Sequence, residues 1–81
     1  PDDSGPPWPG RELKQPPKME GPDVRQWEKQ MKARGWKIGV DGVYDASDEA
    51  ICRQFQAEKG LEVDGEVGPV TWRAAWNVKV T

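Results

Sequence analysis

The sequence has no histidine, one cysteine, one phenylalanine and one tyrosine among its 81 residues. Each shortage closes off a class of function. Without histidine there is no His-based nucleophilic triad and no zinc site with His ligands. The lone cysteine, Cys52, rules out an internal disulfide, so the core rests on packing, to which five tryptophans are suited. No apolar run approaches the ~18 residues that a membrane span takes. A formal charge of −2 does not suit an electrostatic nucleic-acid binder, whose surface is strongly basic. The length allows one domain, near the lower end of what a hydrophobic core holds together unaided. The chain opens at Pro1 with neither Met nor a signal-like apolar segment. A fragment of a longer protein is therefore expected, and the missing signal says nothing about secretion.

What is present is a repeated turn. Val40-Asp41-Gly42-Val43-Tyr44-Asp45 is echoed by Val63-Asp64-Gly65-Glu66-Val67-Gly68, twenty-three residues further on. Asp-Gly is a strong turn dipeptide, because Gly accepts φ > 0 and the Asp side chain bonds the backbone just ahead. In the second copy Gly68-Pro69 reads as an N-cap followed by Pro at the first helical position, and Asp45 holds the capping place in the first. The unit is an internal helix-turn duplication, too short for a solenoid.

Residues 1–18 form a Pro-rich lead-in that cannot be helical and reads as a polyproline-like linker. Trp8 and Leu13 within it, and Met19 just after it, are apolar residues a plain linker does not need. Folding of Trp8 to Arg11 back onto the domain is the alternative. A first helix starts with Gly21 as N-cap and Pro22 in the first turn, and Gly35 stops it. Val24, Trp27, Met31 and Ala33 or Arg34 make its apolar stripe. Arg25, Lys29, Lys32 and Arg34 make a solvated face on which Glu28 pairs with Lys32. Helix two is expected from about Ala46 to Lys59, burying Ile51, Cys52 and Phe55, with Gly60 closing it. Helix three is expected from about Pro69 to Asn77, with Trp72, Ala75 and Trp76 facing inward. The fold class is all-α, a three-helix bundle, with boundaries at 1–18 for the lead-in, 19–78 for the domain and 79–81 for a tail.

Catalytic readings fail on the residues. Cys52 lacks a His partner and lies on the apolar face of its helix, so it reads as core. The carboxylates Asp41, Asp45, Asp48 and Glu49 invite a calcium loop, but the third position from Asp41 is Val43 and the sixth is Ala46, where an EF-hand needs an oxygen ligand and Gly. Paired glycosidase carboxylates flank a deep cleft at ~5 to 10 Å, which a bundle this small has little room for. No cofactor or metal is expected.

The pattern Asp23-Val24-x-x-Trp27-Glu28-x-x-Met31-x-x-x-Gly35, then Asp41-Gly42-x-Tyr44, then Phe55-Gln56-x-x-x-Gly60-Leu61-x-Val63-Asp64-Gly65-x-Val67-Gly68-Pro69-x-Thr71-Trp72 resembles the peptidoglycan-binding domain family. The resemblance covers roughly Met19 to Trp76, and Trp8-Pro9-Gly10-Arg11 looks like the variant on wall-lytic enzymes of actinobacteria and their phages. It implies a non-catalytic three-helix module at the cell wall, outside the cell, carried as a monomer by a covalently linked hydrolase or lysin. Peptidoglycan is then the partner, with no role for nucleic acid or membrane. The sequence departs from the family at Glu28 (usually Gln), Asp45 (usually Gly) and Asp48 (usually Thr). Where these touch ligand, the added negative charge alters specificity. A metalloprotease prodomain is a rival reading, since similar modules precede matrix metalloproteinases. The inhibitory Pro-Arg-Cys-Gly-type motif is missing, however, and Cys52 is mid-helix. A structural protein–protein spacer is a third. For a saccharide or stem-peptide site the candidates are the connection aromatics Trp36 and Tyr44, with Asp41, Arg53, Asp64 and Arg73 nearby in sequence or repeat. Against this, the two aromatics complete the core and the two Asp residues only build turns.

Overall fold

Helices form where caps and stops permit them, and the computed structural model describes residues 7–15 and 17–77. Of the Pro-rich lead-in expected over 1–18, residues 1–6 and 16 lie outside those residues, as do residue 78 at the end of the domain and the tail at 79–81. Helix α1, Pro22–Ala33, follows Gly21 as N-cap with Pro22 in the first turn. Helix α2, Ala46–Glu58, is capped by Asp45, whose carboxylate accepts from the N–H groups of Ser47 and Asp48. Helix α3, Pro69–Asn77, begins as Gly68 accepts from the Trp72 N–H at 2.8 Å. All three agree with the sequence reading to within two residues.

The bundle is not purely helical. Strand β1, Met19–Glu20, pairs antiparallel with β2, Val43–Tyr44, in the register Met19↔Tyr44 and Glu20↔Val43. An isolated antiparallel bridge, Leu13↔Val67, stands in the same relation to the second turn. The cause is local. Each Asp-Gly turn leaves its next residues extended, with backbone groups that need partners; Met19 and Glu20, just before α1, supply them for the first turn and Leu13 of the lead-in for the second. Leu13 and Val67 exchange both hydrogen bonds, at 3.2 and 2.9 Å. The fold is mostly helical with a small two-stranded sheet.

The apolar part of the lead-in packs on the helices. Leu13 is fully buried, and Trp8 meets Trp72 edge-on with ring centroids 6.0 Å apart. Arg11 forks onto Asp23 at 2.7 and 2.8 Å while donating to the Glu20 carbonyl. That fork holds the Asp23 carboxyl below its usual range.

The core comprises Leu13, Val24, Trp27, Met31, Ile38, Tyr44, Cys52, Phe55, Val67, Trp72, Ala74 and Ala75. Trp76 and Ile51 are only partly buried against it. Two charged residues, Glu28 of α1 and Arg34 at its C-cap, depart from the expected solvated face. Glu28 is fully buried and makes no surface pair with Lys32; its carboxylate turns inward to the first Asp-Gly turn. Arg34 lies with its guanidinium 5.0 Å from the Phe55 ring centroid and donates to the Ala75 carbonyl at 3.0 Å. It ties the C-terminal end of α1 to α3.

Cys52 is fully buried, and burial first of all pushes its thiol up to about 12. Little thiolate forms at neutral pH and none of it is reachable. A thiol reagent should label Cys52 slowly in the native protein and quickly after denaturation; fast native labelling would contradict this packing.

Candidate functional site

The two Asp-Gly turns are closed by the same device, one buried side chain per turn. In the second repeat Gln56 Oε1 accepts from the N–H groups of Asp64 and Gly65, at 3.1 and 3.0 Å. In the first, Glu28 Oε1 accepts from those of Asp41 and Gly42, at 3.1 and 2.8 Å. Within each turn the Asp carboxylate bonds the N–H two residues on, Val43 in one and Glu66 in the other, both at 3.0 Å. Gly42 and Gly65 have φ of +78° and +74°, which a side chain would strain. At Gly65 a Cβ would also come within 2.8 Å of Glu49 Cγ.

These turns shape two surface depressions. One, about 210 Å³, lies between the second turn and the start of α3, lined by Glu12, Gln56, Leu61, Glu62, Asp64, Glu66, Gly68, Pro69, Val70 and Thr71. Its rim is acidic and its remaining lining partly aliphatic, with Val70 65% exposed beside it. Desolvation, then the hydrogen bond with Glu12, pushes the Glu66 carboxyl above its usual range. The other, about 350 Å³ and shallower, lies between the first turn and the start of α1, with Arg25 and Asp41 among its lining residues.

The residues singled out from sequence are brought together only in part: Arg53 stands against the second turn, 3.0 Å from where a Cβ on Gly65 would sit, and acts on Asp64, while Asp41 lies on the other depression. Tyr44 has no free face: it is fully buried, tilted against Trp27 at 5.8 Å, and its hydroxyl donates to the Gly65 carbonyl at 2.8 Å. Burial raises its phenol well above the usual range. A site that needs Tyr44 exposed is excluded by this packing, because the strand pairing at Met19 draws the ring inward. Trp36 is half-buried, edge-on to Phe55 at 6.5 Å. Asp64 is exposed on the acidic cleft, and Asp41 is exposed on the shallow one. Arg53 is exposed and paired with Glu49 at 3.1 Å, and Arg73 is exposed on α3.

The clamps Glu28 and Gln56 escaped sequence reasoning. Their spacing to the turn differs, thirteen residues from Glu28 to Asp41 and eight from Gln56 to Asp64, so the twenty-three-residue offset does not align them. The offset does align Asp48 with Thr71, and both are buried. A polar residue at the third position of the helix after each turn was the available signal. The acid cleft had none, since Glu12 and Glu62 are joined to it only by the Leu13–Val67 bridge and the α2–α3 connection.

A duplicated helical domain whose turns carry shallow clefts is a small binding module. Residues 20–75 match the family model described as "Putative peptidoglycan binding domain", and the chain belongs to that family. Peptidoglycan binding, and with it association with the cell wall, is the function the family carries. No curated protein and no solved structure matches the chain.

Proposed function

We propose that this domain anchors a cell-wall hydrolase to peptidoglycan, as part of a secreted wall enzyme or a phage lysin acting outside the cell. Holding a catalytic domain at an insoluble substrate raises its effective concentration there without any new catalytic group. The module itself is non-catalytic and works as a monomer. The observation that carries this reading is the family match over residues 20–75.

For the contact surface, the acid cleft at the second turn is the better candidate. Its carboxylates Glu12, Glu62, Asp64 and Glu66 and the exposed Val70 suit a short aliphatic peptide bearing an ammonium group, the chemistry of a peptidoglycan stem peptide. Trp36 is a second candidate, because its ring meets Phe55 in a T-shaped contact and part of the side chain reaches solvent. The test is binding to purified sacculi at low and high salt. Glu12→Gln/Glu62→Gln should weaken binding about 2- to 10-fold, an effect that fades with salt. Trp36→Ala, if the aromatic is used, should cost about 1–3 kcal/mol, or roughly 5- to 150-fold, with little salt dependence. Steep salt dependence with both variants binding normally would move the site to the exposed Arg25, Lys29 and Lys32 of α1. Wild-type protein that ignores sacculi altogether would leave a protein–protein spacer as the reading.

A further inference from the structure

The two clamps differ behind the turn. Gln56 Nε2 donates to Thr71 Oγ1 at 3.0 Å, a donor meeting an acceptor. The corresponding pair in the first repeat is Glu28 and Asp48, two buried carboxyls that act on each other behind the turn. Glu28 is fully buried and Asp48 is 3% exposed. Oε2 of Glu28 and Oδ2 of Asp48 are both buried with no hydrogen-bond donor among the described residues. Two bare carboxylates in that position would be desolvated and mutually repelling, whereas one proton between them supplies the missing donor to both.

We propose that Glu28 and Asp48 share one proton, and that this buried acid pair makes closure of the first Asp-Gly turn dependent on pH. The groups around it offer no relief by charge. Asp45, the α2 cap, is the other charged group acting on Asp48. Tyr44 of β2 also feels the Asp48 charge while its hydroxyl is spent on Gly65. Asp41 sits on the turn itself, where the Glu28 side chain and then the nearby Arg25 both act on it, so it is a third carboxyl in contact with the pair. Burial first, then Glu28, then Asp45 raise the Asp48 carboxyl far above its usual range. The native protein thus keeps a proton that the unfolded chain releases near pH 4. The sign follows: the pair's contribution to stability is complete below the ordinary carboxylate range and is lost as pH rises toward the raised value of Asp48. Asp23 and Asp41, both lowered, act in the opposite sense and are lost only on acidification.

The structural consequence falls on one contact chain. Glu28 Oε1 holds the N–H groups of Asp41 and Gly42, and the Gly42 carbonyl accepts from the Gly21 N–H at 3.1 Å, at the start of α1. A second charge beside Glu28 drives α1 and the start of α2 apart and loosens the turn between them.

The test uses the second repeat as template. Glu28→Gln/Asp48→Thr copies the Gln56–Thr71 pair, and melting temperature is followed from about pH 5 to about pH 9 beside wild type. Wild type should lose stability relative to the variant steadily as pH rises. Its unfolding near pH 7 should release about one proton more than the variant's, read by calorimetry in buffers of different ionisation enthalpy. Parallel curves with equal proton release overturn the proposal. Should the variant fail to fold, carboxyl-carbon NMR titration of wild type decides. One carboxyl titrating above about pH 6 supports the shared proton, and both titrating near pH 4 overturns it. Calcium that raises the wild-type melting temperature in alkali, with no effect on the variant, would give the pair to a cation instead and overturn it as well.

Discussion

Phe55→Ala is expected to leave the domain largely unfolded at room temperature. The side chain is fully buried, and truncating a core aromatic costs about 3–5 kcal/mol. A domain of this size has total stability of only about 5 kcal/mol or somewhat more. The position also carries contacts beyond its buried area, the edge-on Trp36 ring at 6.5 Å and the Arg34 guanidinium at 5.0 Å, so the upper part of the range applies. Far-ultraviolet circular dichroism against temperature is the check. A melting curve close to wild type would mean that Phe55 does not face the core.

The second large effect is expected at a polar residue. Gln56 is 1% exposed and spends both ends of its amide. Oε1 takes the Asp64 and Gly65 N–H groups, and Nε2 donates to Asp64 Oδ1, the Glu66 carbonyl and Thr71 Oγ1. Gln56→Ala strands two backbone N–H groups and the Thr71 hydroxyl behind the turn. At about 1–3 kcal/mol for each buried group left without a partner, with Asp64 partly open to water, the total is about 2–5 kcal/mol. The melting temperature should fall by about 10 °C or more. Gln54→Ala, two residues away and exposed, should change it by no more than about 0.5 kcal/mol equivalent. Equal behaviour of the two variants would show that the turn closes without its clamp.

The sequence by itself determined the three helices, because their signals are local. Gly21-Pro22, Asp45 and Gly68-Pro69 sit at the helix starts, and apolar spacing within each helix marks its buried face. It also determined the duplication and the family, since both rest on residue spacing that needs no contacts to be read. The tertiary structure alone decided the short sheet and the lead-in, because the partners of Tyr44 and Val67 lie far back in the chain at Met19 and Leu13. It decided Tyr44 as well, whose hydroxyl finds the Gly65 carbonyl twenty-one residues away. It decided Glu28 most sharply. A helical Glu four residues before a Lys reads as a surface pair from sequence, yet the first turn presents two N–H groups at the buried side of α1 and Glu28 is the acceptor that meets them. The grouping of Glu12, Glu62, Asp64 and Glu66 around one cleft was likewise out of reach. Residues brought together by a bridge between chain segments carry no common period, and only the folded backbone makes them neighbours.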